Sequence, residues 1–174
     1  GSGKGTLCKR LSEEYGFSHL SVGDLMRGLL SSPSVDTEFI DSVKSGKLVS
    51  VEALAPILKS QIEKEKQRGQ TKILVDGFPR RLDQAVPVEA LVSFLLNPVL
   101  VLFFDCPEGV TEKRFLTRNL SGREADNDWM FKKRYQEFTQ LNPDIVDHYR
   151  TRGILLSVRC MKHTVSLYSD FRID

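Results

Sequence analysis

The amino-acid sequence predicts an α/β fold, a doubly wound parallel sheet with helices on both faces. Three observations carry that expectation. Short apolar runs, nearly continuous in Val, Ile, Leu and Phe, stand at Lys72–Asp76, Val99–Asp105 and Ile154–Val158, with a weaker one at His19–Val22. Strands covered on both faces read this way. Between the runs, apolar residues recur at helical spacing. No Asn-Gly pair joins two runs into a hairpin, so strand, helix and parallel strand is the expected connection.

In chain order, Gly1-Ser2-Gly3-Lys4-Gly5-Thr6 leads into a helix with Leu7, Leu11 and Tyr15 on one face. The His19–Val22 run then feeds Gly23-Asp24-Leu25-Met26-Arg27, where Asp24 is a candidate helix cap. Ser50 caps a helix whose Leu54, Leu58 and Ile62 share a face. Pro56 falls inside it and lacks the N–H that would bond the Glu52 carbonyl, so a kink or a later helix start is expected. The Lys72–Asp76 strand ends in Asp76-Gly77-Phe78-Pro79-Arg80. After Val99–Asp105, two helical patterns flank Ser121-Gly122-Arg123, the second with Phe131, Tyr135 and Phe138 on one face. Ile154–Val158 is the last strand. There is no internal repeat and no low-complexity segment.

A length of 174 residues suits one domain with a sizeable core. With 25 Lys+Arg against 23 Asp+Glu, the net charge of +2 gives no global field for nucleic acid or anionic lipid. No run approaches the roughly 18 apolar residues of a membrane span, and no apolar leader segment opens the sequence, so neither a membrane anchor nor a signal peptide is expected. The three cysteines, Cys8, Cys106 and Cys160, are widely spaced with no CxxC pair. Free thiols in a reducing compartment are expected, rather than a disulfide framework or a zinc site.

Four segments carry chemistry. Gly1 to Thr6 has the end of the phosphate-binding pattern G-x-x-x-x-G-K-[ST], with Gly5 between Lys4 and Thr6. Glycines let backbone N–H groups turn onto phosphate oxygens, Lys4 adds a point charge, and the helix beyond aims its positive end at the anion. The plain alternative, a Gly/Ser tail, does not lead straight into an amphipathic helix. In the second segment, Asp76 stands at the carboxyl end of a parallel strand, where it could hold a Mg²⁺ water, and Arg80 offers a planar fork to phosphate. A plain turn with a solvated arginine is the alternative. In the third, Asp24 and Arg27 lie one helical turn apart; by itself this pattern favours a surface ion pair over a phosphate ligand. The fourth is the series Arg114, Arg118, Arg123 and Arg134, which with its Gly-containing interruption suits a lid over polyphosphate. Lys132 and Lys133 read as a solvated helix face.

These pieces together resemble the nucleoside monophosphate kinases, the family of adenylate kinases and UMP/CMP kinases. GSGKGTLC, YGFSHLSVGDLMR, SGKLV, ILVDGFPRRLDQA, VLFFDCPE, and SGR followed by DN and KKR occur in family order from Gly1 to Arg152. VLFFDCPE and YGFSHLS most resemble the short-lid UMP/CMP branch, particularly fungal uridylate kinases. The resemblance implies a P-loop three-layer sandwich, residues 1–174 as a single kinase domain, with an NMP-binding insertion at about 24–53 and a short lid at about 118–128. It implies transfer of the terminal phosphoryl group of ATP, with Mg²⁺, to UMP or CMP. By position, Gly1, Ser2, Gly3, Lys4, Gly5, Thr6 and Arg118 would bind ATP. Lys4, Arg80, Arg123 and Arg134 would be catalytic. Gly23, Arg27, Val49, Gly77, Arg80, Gln84, Arg123 and Arg134 would bind the monophosphate, and Asp76 would support the metal through water. Phosphoryl transfer asks for alignment and positive charge and needs no nucleophilic side chain. His19, His148 and His163 are accordingly expected to be structural or surface residues. A monomer in the cytoplasm, with the nucleus as a second compartment, is expected, without nucleic-acid or membrane partners.

The sequence departs from the family at named places. The family has a buried strand and a Gly-Pro pair ahead of Gly1, so this chain is expected to be a member lacking its first strand, with two neighbouring strands left with unpaired edges. The Arg118–Arg123 stretch is shorter than the usual lid, Glu124-Ala125-Asp126-Asn127 keeps one of two family aspartates, and Ser50 replaces a proline. Gln84 matches the glutamine that adenylate kinases use for adenine, although fungal uridylate kinases share the DQA pattern. AMP therefore stands as an alternative acceptor, and a truncated, inactive P-loop nucleotide-binding module as an alternative to a kinase.

Overall fold

Among the residues that the computed structural model describes (1–30, 40, 41, 43, 45, 49–92, 97–118 and 126–159), strands and helices alternate as the apolar pattern predicts. They run α1 (Lys4–Tyr15), β1 (Ser18–Ser21), α2 (Val22–Leu29), α3 (Val51–Gln67), β2 (Ile73–Asp76), α4 (Leu82–Val92), β3 (Val101–Asp105), α5 (Glu108–Thr117), α6 (Asp128–Thr151) and β4 (Leu155–Arg159). Arg123, Ser121, Gly122, Cys160, His163 and part of SGKLV lie outside the described residues. The chain divides into two compact units, Leu11–Pro98 and Gly1–Arg10 with Val99–Asp174.

In the unit Leu11–Pro98, β1 and β2 pair in parallel, Ser18 opposite Ile73 and Ser21 opposite Asp76. Val22 and Met26 of α2, Leu54, Ala55, Leu58 and Ile62 of α3, Leu20 of β1 and Val88 of α4 form its core. The start of α2 corrects the sequence reading. Ser21, not Asp24, is the cap, its hydroxyl accepting from the Asp24 N–H at 3.3 Å. Asp24 occupies the first turn, where a carboxylate faces the positive helix end.

Ser50 caps α3 as expected, accepting from the Ala53 N–H at 3.4 Å, and of the two outcomes expected at Pro56 the later start does not occur, since the helix runs from Val51 through Pro56. A proline inside a helix costs about 3 kcal/mol, whereas burying a Leu or Ile side chain contributes about 1.5–3 kcal/mol. Leu54, Leu58 and Ile62 are each buried to 4% exposure or less, and together they outweigh the lost bond. Pro87 in α4 and Pro143 in α6 also lie inside helices.

In the other unit, β3 and β4 pair in parallel from Val101 opposite Leu155 to Asp105 opposite Arg159. The Val101 N–H donates to the Ile154 carbonyl at 2.7 Å, and the ladder starts there, so Val99 and Leu100 fall outside the strand predicted to include them. A row of rings ties α5 and α6 to β3. Phe115 meets Phe131 at 5.6 Å, Phe131 meets Tyr135 at 5.6 Å, Tyr135 meets Phe138 at 6.1 Å and Phe138 stacks on Phe103 at 6.2 Å. Such spacings are those of favourable aromatic pairs.

Each strand pairs with one neighbour, so among the described residues every strand keeps one open ladder edge. Among the described strand residues, Leu20 and Phe104 are the fully buried ones.

Candidate functional site

The residues predicted to hold the donor nucleotide lie in the unit that contains the chain start. Gly3 adopts φ +93°, a conformation open to glycine, and its carbonyl accepts the Leu7 N–H at 3.1 Å. This closes the first turn of α1, so Lys4, Gly5 and Thr6 sit at the helix end where backbone N–H groups remain available to an anion. The Lys4 ammonium donates to the Ser2 hydroxyl at 3.2 Å. Gly1 lies hard against α5, where an added Cβ would come within 2.0 Å of the Thr111 carbonyl oxygen. Thr111, Phe115 and Arg118 follow one another at i, i+4 and i+7, so the segment that Gly1 touches also carries a predicted donor arginine.

Arg118 and Arg134 are brought together by a residue that the sequence reading assigned no role. Asp126 accepts from Arg118 Nε at 2.8 Å and from Arg134 at 3.3 Å. Both guanidinium groups also lie over the Phe115 ring, at 4.3 Å and 5.7 Å from its centroid. The available signal for Asp126, just before the Asn127 cap and eight positions from each arginine, was its match to one of the two family aspartates. Nothing in the sequence singled out Phe115. Lys132 and Lys133 fit the solvated face predicted for them. Lys132 pairs with Asp128 at 2.7 Å, a hydrogen bond and charge that raise its pKa, and Lys133 lies over the Trp129 ring.

The residues predicted for the acceptor lie in the unit Leu11–Pro98. Arg27 pairs with Asp24 one turn earlier, the surface ion pair that the spacing alone favours. Its guanidinium lies across Gly23, where an added Cβ would meet it at 3.3 Å. After β2, Gly77 turns the chain with φ +80°, followed by a cis Phe78–Pro79 peptide. Arg80 is exposed and donates from Nε to the Gly77 carbonyl at 3.1 Å.

Gln84 is 4% exposed, and its amide is engaged at both ends. It accepts from the Arg80 N–H at 3.3 Å and donates to the Val49 carbonyl at 3.0 Å. Gly77, Arg80, Gln84 and Val49 thus form one connected set. An open cavity of about 460 Å³ between β1, α2 and α3 is lined by His19, Ser21, Asp24 and Gln61 with apolar neighbours, and none of the predicted acceptor residues lines it.

Asp76 ends β2 with its carboxylate 14% exposed and 3.6 Å from His19 Nε2. An oxygen donor at a strand's carboxyl end fits a hard cation such as Mg²⁺, held through water, while the nearby imidazole nitrogen suits that ion poorly. Among the described residues, no helix is long and apolar enough to cross a membrane.

Comparison with known proteins fits these arrangements. The family model described as adenylate kinase matches residues 1–154. The chain is 36% identical over 173 residues to UMP-CMP kinase 3 of Arabidopsis thaliana, covering 99% of this chain and 83% of that protein. It is 35% identical over 173 residues to uridylate kinase of Saccharomyces cerevisiae, covering 98% and 83%. It is 40% identical over 154 residues to UMP-CMP kinase 2 of Oryza sativa subsp. japonica, covering 88% and 61%.

Proposed function

This chain belongs to the adenylate kinase family, and from that premise we propose that it is a nucleoside monophosphate kinase that transfers the terminal phosphoryl group of MgATP to UMP or CMP, giving ADP and a nucleoside diphosphate. The observation that carries the proposal is the Gly-Lys-Gly-Thr segment opening α1, in a chain matched by the family over residues 1–154. Residues 1–174 are read as one P-loop domain of three layers, with an NMP-binding insertion at about 24–53 and a short lid at about 118–128.

In this reading Gly1, Ser2, Gly3, Gly5 and Thr6 hold the donor phosphates with Arg118, and Lys4 follows charge onto the bridging oxygen. Arg27 and Arg80 clamp the acceptor phosphate. Arg123 and Arg134 face the transferring group, and Gly23, Val49, Gly77 and Gln84 shape the acceptor's surroundings. Arginine suits these roles because its planar fork gives two parallel hydrogen bonds to a phosphate. The Mg²⁺ carried with ATP neutralises phosphate charge, and Asp76 is the residue that would hold it through water. The reaction asks these side chains to align two anions and to balance charge as it moves.

A coupled assay of ADP release with UMP, CMP and AMP as acceptors tests the proposal. Pyrimidine monophosphates outrunning AMP is the expected result. AMP outrunning them would favour an adenylate kinase, a reading that rests on Gln84. ATP binding with no turnover on any acceptor would leave a nucleotide-binding module. The chain is read as a monomer of the cytoplasm, with the nucleus second, acting on small molecules and not on nucleic acid or membranes.

A further inference from the structure

We propose that the open cavity between β1, α2 and α3 is a binding site for a small organic cation, a primary ammonium on an apolar body, coupled to the acceptor phosphate through the Asp24–Arg27 pair. The coupling rests on the kinase reading and deepens it. At about 460 Å³ the cavity falls within the range of about 300–1,000 Å³ usual for small-molecule sites. Leu25 and Leu29 of α2 and Ile57 of α3 give it apolar walls, and Gln61 lies one turn beyond Ile57. Asp24 is the one carboxylate among the described lining residues, which include no Lys or Arg. Apolar walls with a single negative group suit a cation that carries hydrocarbon and disfavour a phosphate.

The helix α2 serves two ligands from two sides. Gly23 and Arg27, four positions apart, form the side read as acceptor-binding, with the Arg27 guanidinium lying across Gly23. Asp24 and Gly28, and Leu25 and Leu29, share the same spacing and line the cavity. The ion pair of Arg27 with Asp24 joins the two sides, and with Asp24 63% exposed it is of the weak, exchangeable kind. An acceptor phosphate that draws Arg27 away removes the positive charge balancing Asp24, and an ammonium in the cavity supplies another. The exchange runs equally in reverse, since an ammonium on Asp24 releases Arg27 to phosphate. Each ligand therefore raises the other's affinity by one and the same factor, which an exposed pair limits to about two- to fivefold.

The test is titration of the full chain, followed by NMR, with benzylammonium as the probe and benzyl alcohol as its neutral counterpart, each with and without UMP. With UMP present, benzylammonium should bind about two- to fivefold more tightly than benzyl alcohol, and saturating benzylammonium should lower the UMP Kd by about the same factor. Gly28 supplies the control, because a Cβ there meets nothing within 4 Å. Gly28→Leu exchanges glycine for a strong helix former and fills the cavity, so probe binding should be lost while the UMP Kd measured without probe is unchanged. Asp24→Asn, a change at an exposed position, should bring benzylammonium down to the level of benzyl alcohol whether or not Gly28→Leu folds. Equal binding of the two probes, full probe binding in Gly28→Leu, or a UMP Kd that benzylammonium leaves unchanged overturns the proposal. If the chain binds no UMP, the kinase reading is what fails. The preference for benzylammonium, and its loss in Gly28→Leu and Asp24→Asn, then decides the cation site by itself.

Discussion

Replacing Gln84 separates its structural role from any role in reading a base. Its amide donates to the Val49 carbonyl and accepts the Arg80 N–H, and the side chain is 4% exposed. In Gln84→Leu the Val49 carbonyl, half-buried, loses its partner, at a cost of about 1–3 kcal/mol. Arg80 is exposed, so water can replace the bond to its N–H. With some return from the apolar side chain, the net loss should be about 1–2 kcal/mol, which for a chain of this size lowers Tm by roughly 5 °C. Gln84→Glu is the sharper probe. Protonated, the introduced carboxyl can donate to Val49 and accept from Arg80, restoring both bonds; ionised, it sets a negative oxygen against the carbonyl. Its folded-state pKa is therefore raised above the ordinary glutamate value near ~4.3. A group raised in this way contributes stability that is present below the unfolded pKa and is lost as pH rises. The variant should be close to the parent at pH ~4 and lose about 1.4 kcal/mol per pH unit above that, until the folded-state pKa is passed. Urea denaturation at several pH values between about 4 and 7 reads this slope. Parallel pH profiles for parent and Gln84→Glu, or a Gln84→Leu melting point within about 1 °C of the parent, would refute the assigned hydrogen bonds.

Three further outcomes follow from the same structure. Arg80→Ala should cut turnover by about 10³-fold with little change in melting, since the side chain is exposed and its Nε bond runs to the Gly77 carbonyl; an unchanged rate in the coupled assay removes Arg80 from the mechanism. Gly23→Ala places a Cβ 3.3 Å from an Arg27 guanidinium nitrogen; the flexible end yields, so stability should hold or rise slightly while the KM for the monophosphate rises about three- to tenfold, and an unchanged KM disconnects Arg27 from the acceptor. Burial, with the neighbouring carboxylates Glu108 and Asp105, raises the Tyr135 pKa. The folded state thus keeps its phenol neutral above pH ~10, where an unfolded tyrosine ionises, and this contribution to stability is lost as pH climbs past that value. Tyr135→Phe should flatten the alkaline fall in thermal stability, and identical slopes between about pH 9 and 11 would count against it.

The strands were legible because β-branched and aromatic runs bounded by turn residues carry a local signal, and all four predicted runs overlap the observed strands to within about two residues. Ser50 was legible as a cap for the same local reason. Ser21 was not, because Asp24 competes for the same helix start and only the backbone angles decide between them. A later start at Pro56 does not occur, because a single residue's conformational cost is visible in sequence, while the burial of three neighbouring side chains that offsets it is a tertiary fact. The candidate site divides similarly. The phosphate loop and the arginines announce themselves by residue type. The groups that hold them do not: Val49 lies 35 positions from Gln84, and Asp126 reaches eight positions in each direction.

The charged candidate phosphate ligands among the described residues are all engaged with groups of the chain itself. Arg27 faces Asp24, Arg118 and Arg134 share Asp126, Lys4 donates to Ser2, and Arg80 donates to a backbone carbonyl. An incoming phosphate must compete with these partners, so what matters is how hard each is to displace. Asp24 is 63% exposed, and ion pairs in that setting contribute about 1 kcal/mol or less; Arg27 can therefore leave its partner for a doubly charged phosphate. Asp126 is 7% exposed and serves two arginines, and stripping either from it would leave a buried charge undercompensated, a far larger penalty. Arg118 and Arg134 are thus held where they are, whereas Arg27 can exchange one anion for another. The exposed pair is suited to swapping partners and the buried trio to staying put, a division set by burial and not by the arginines themselves.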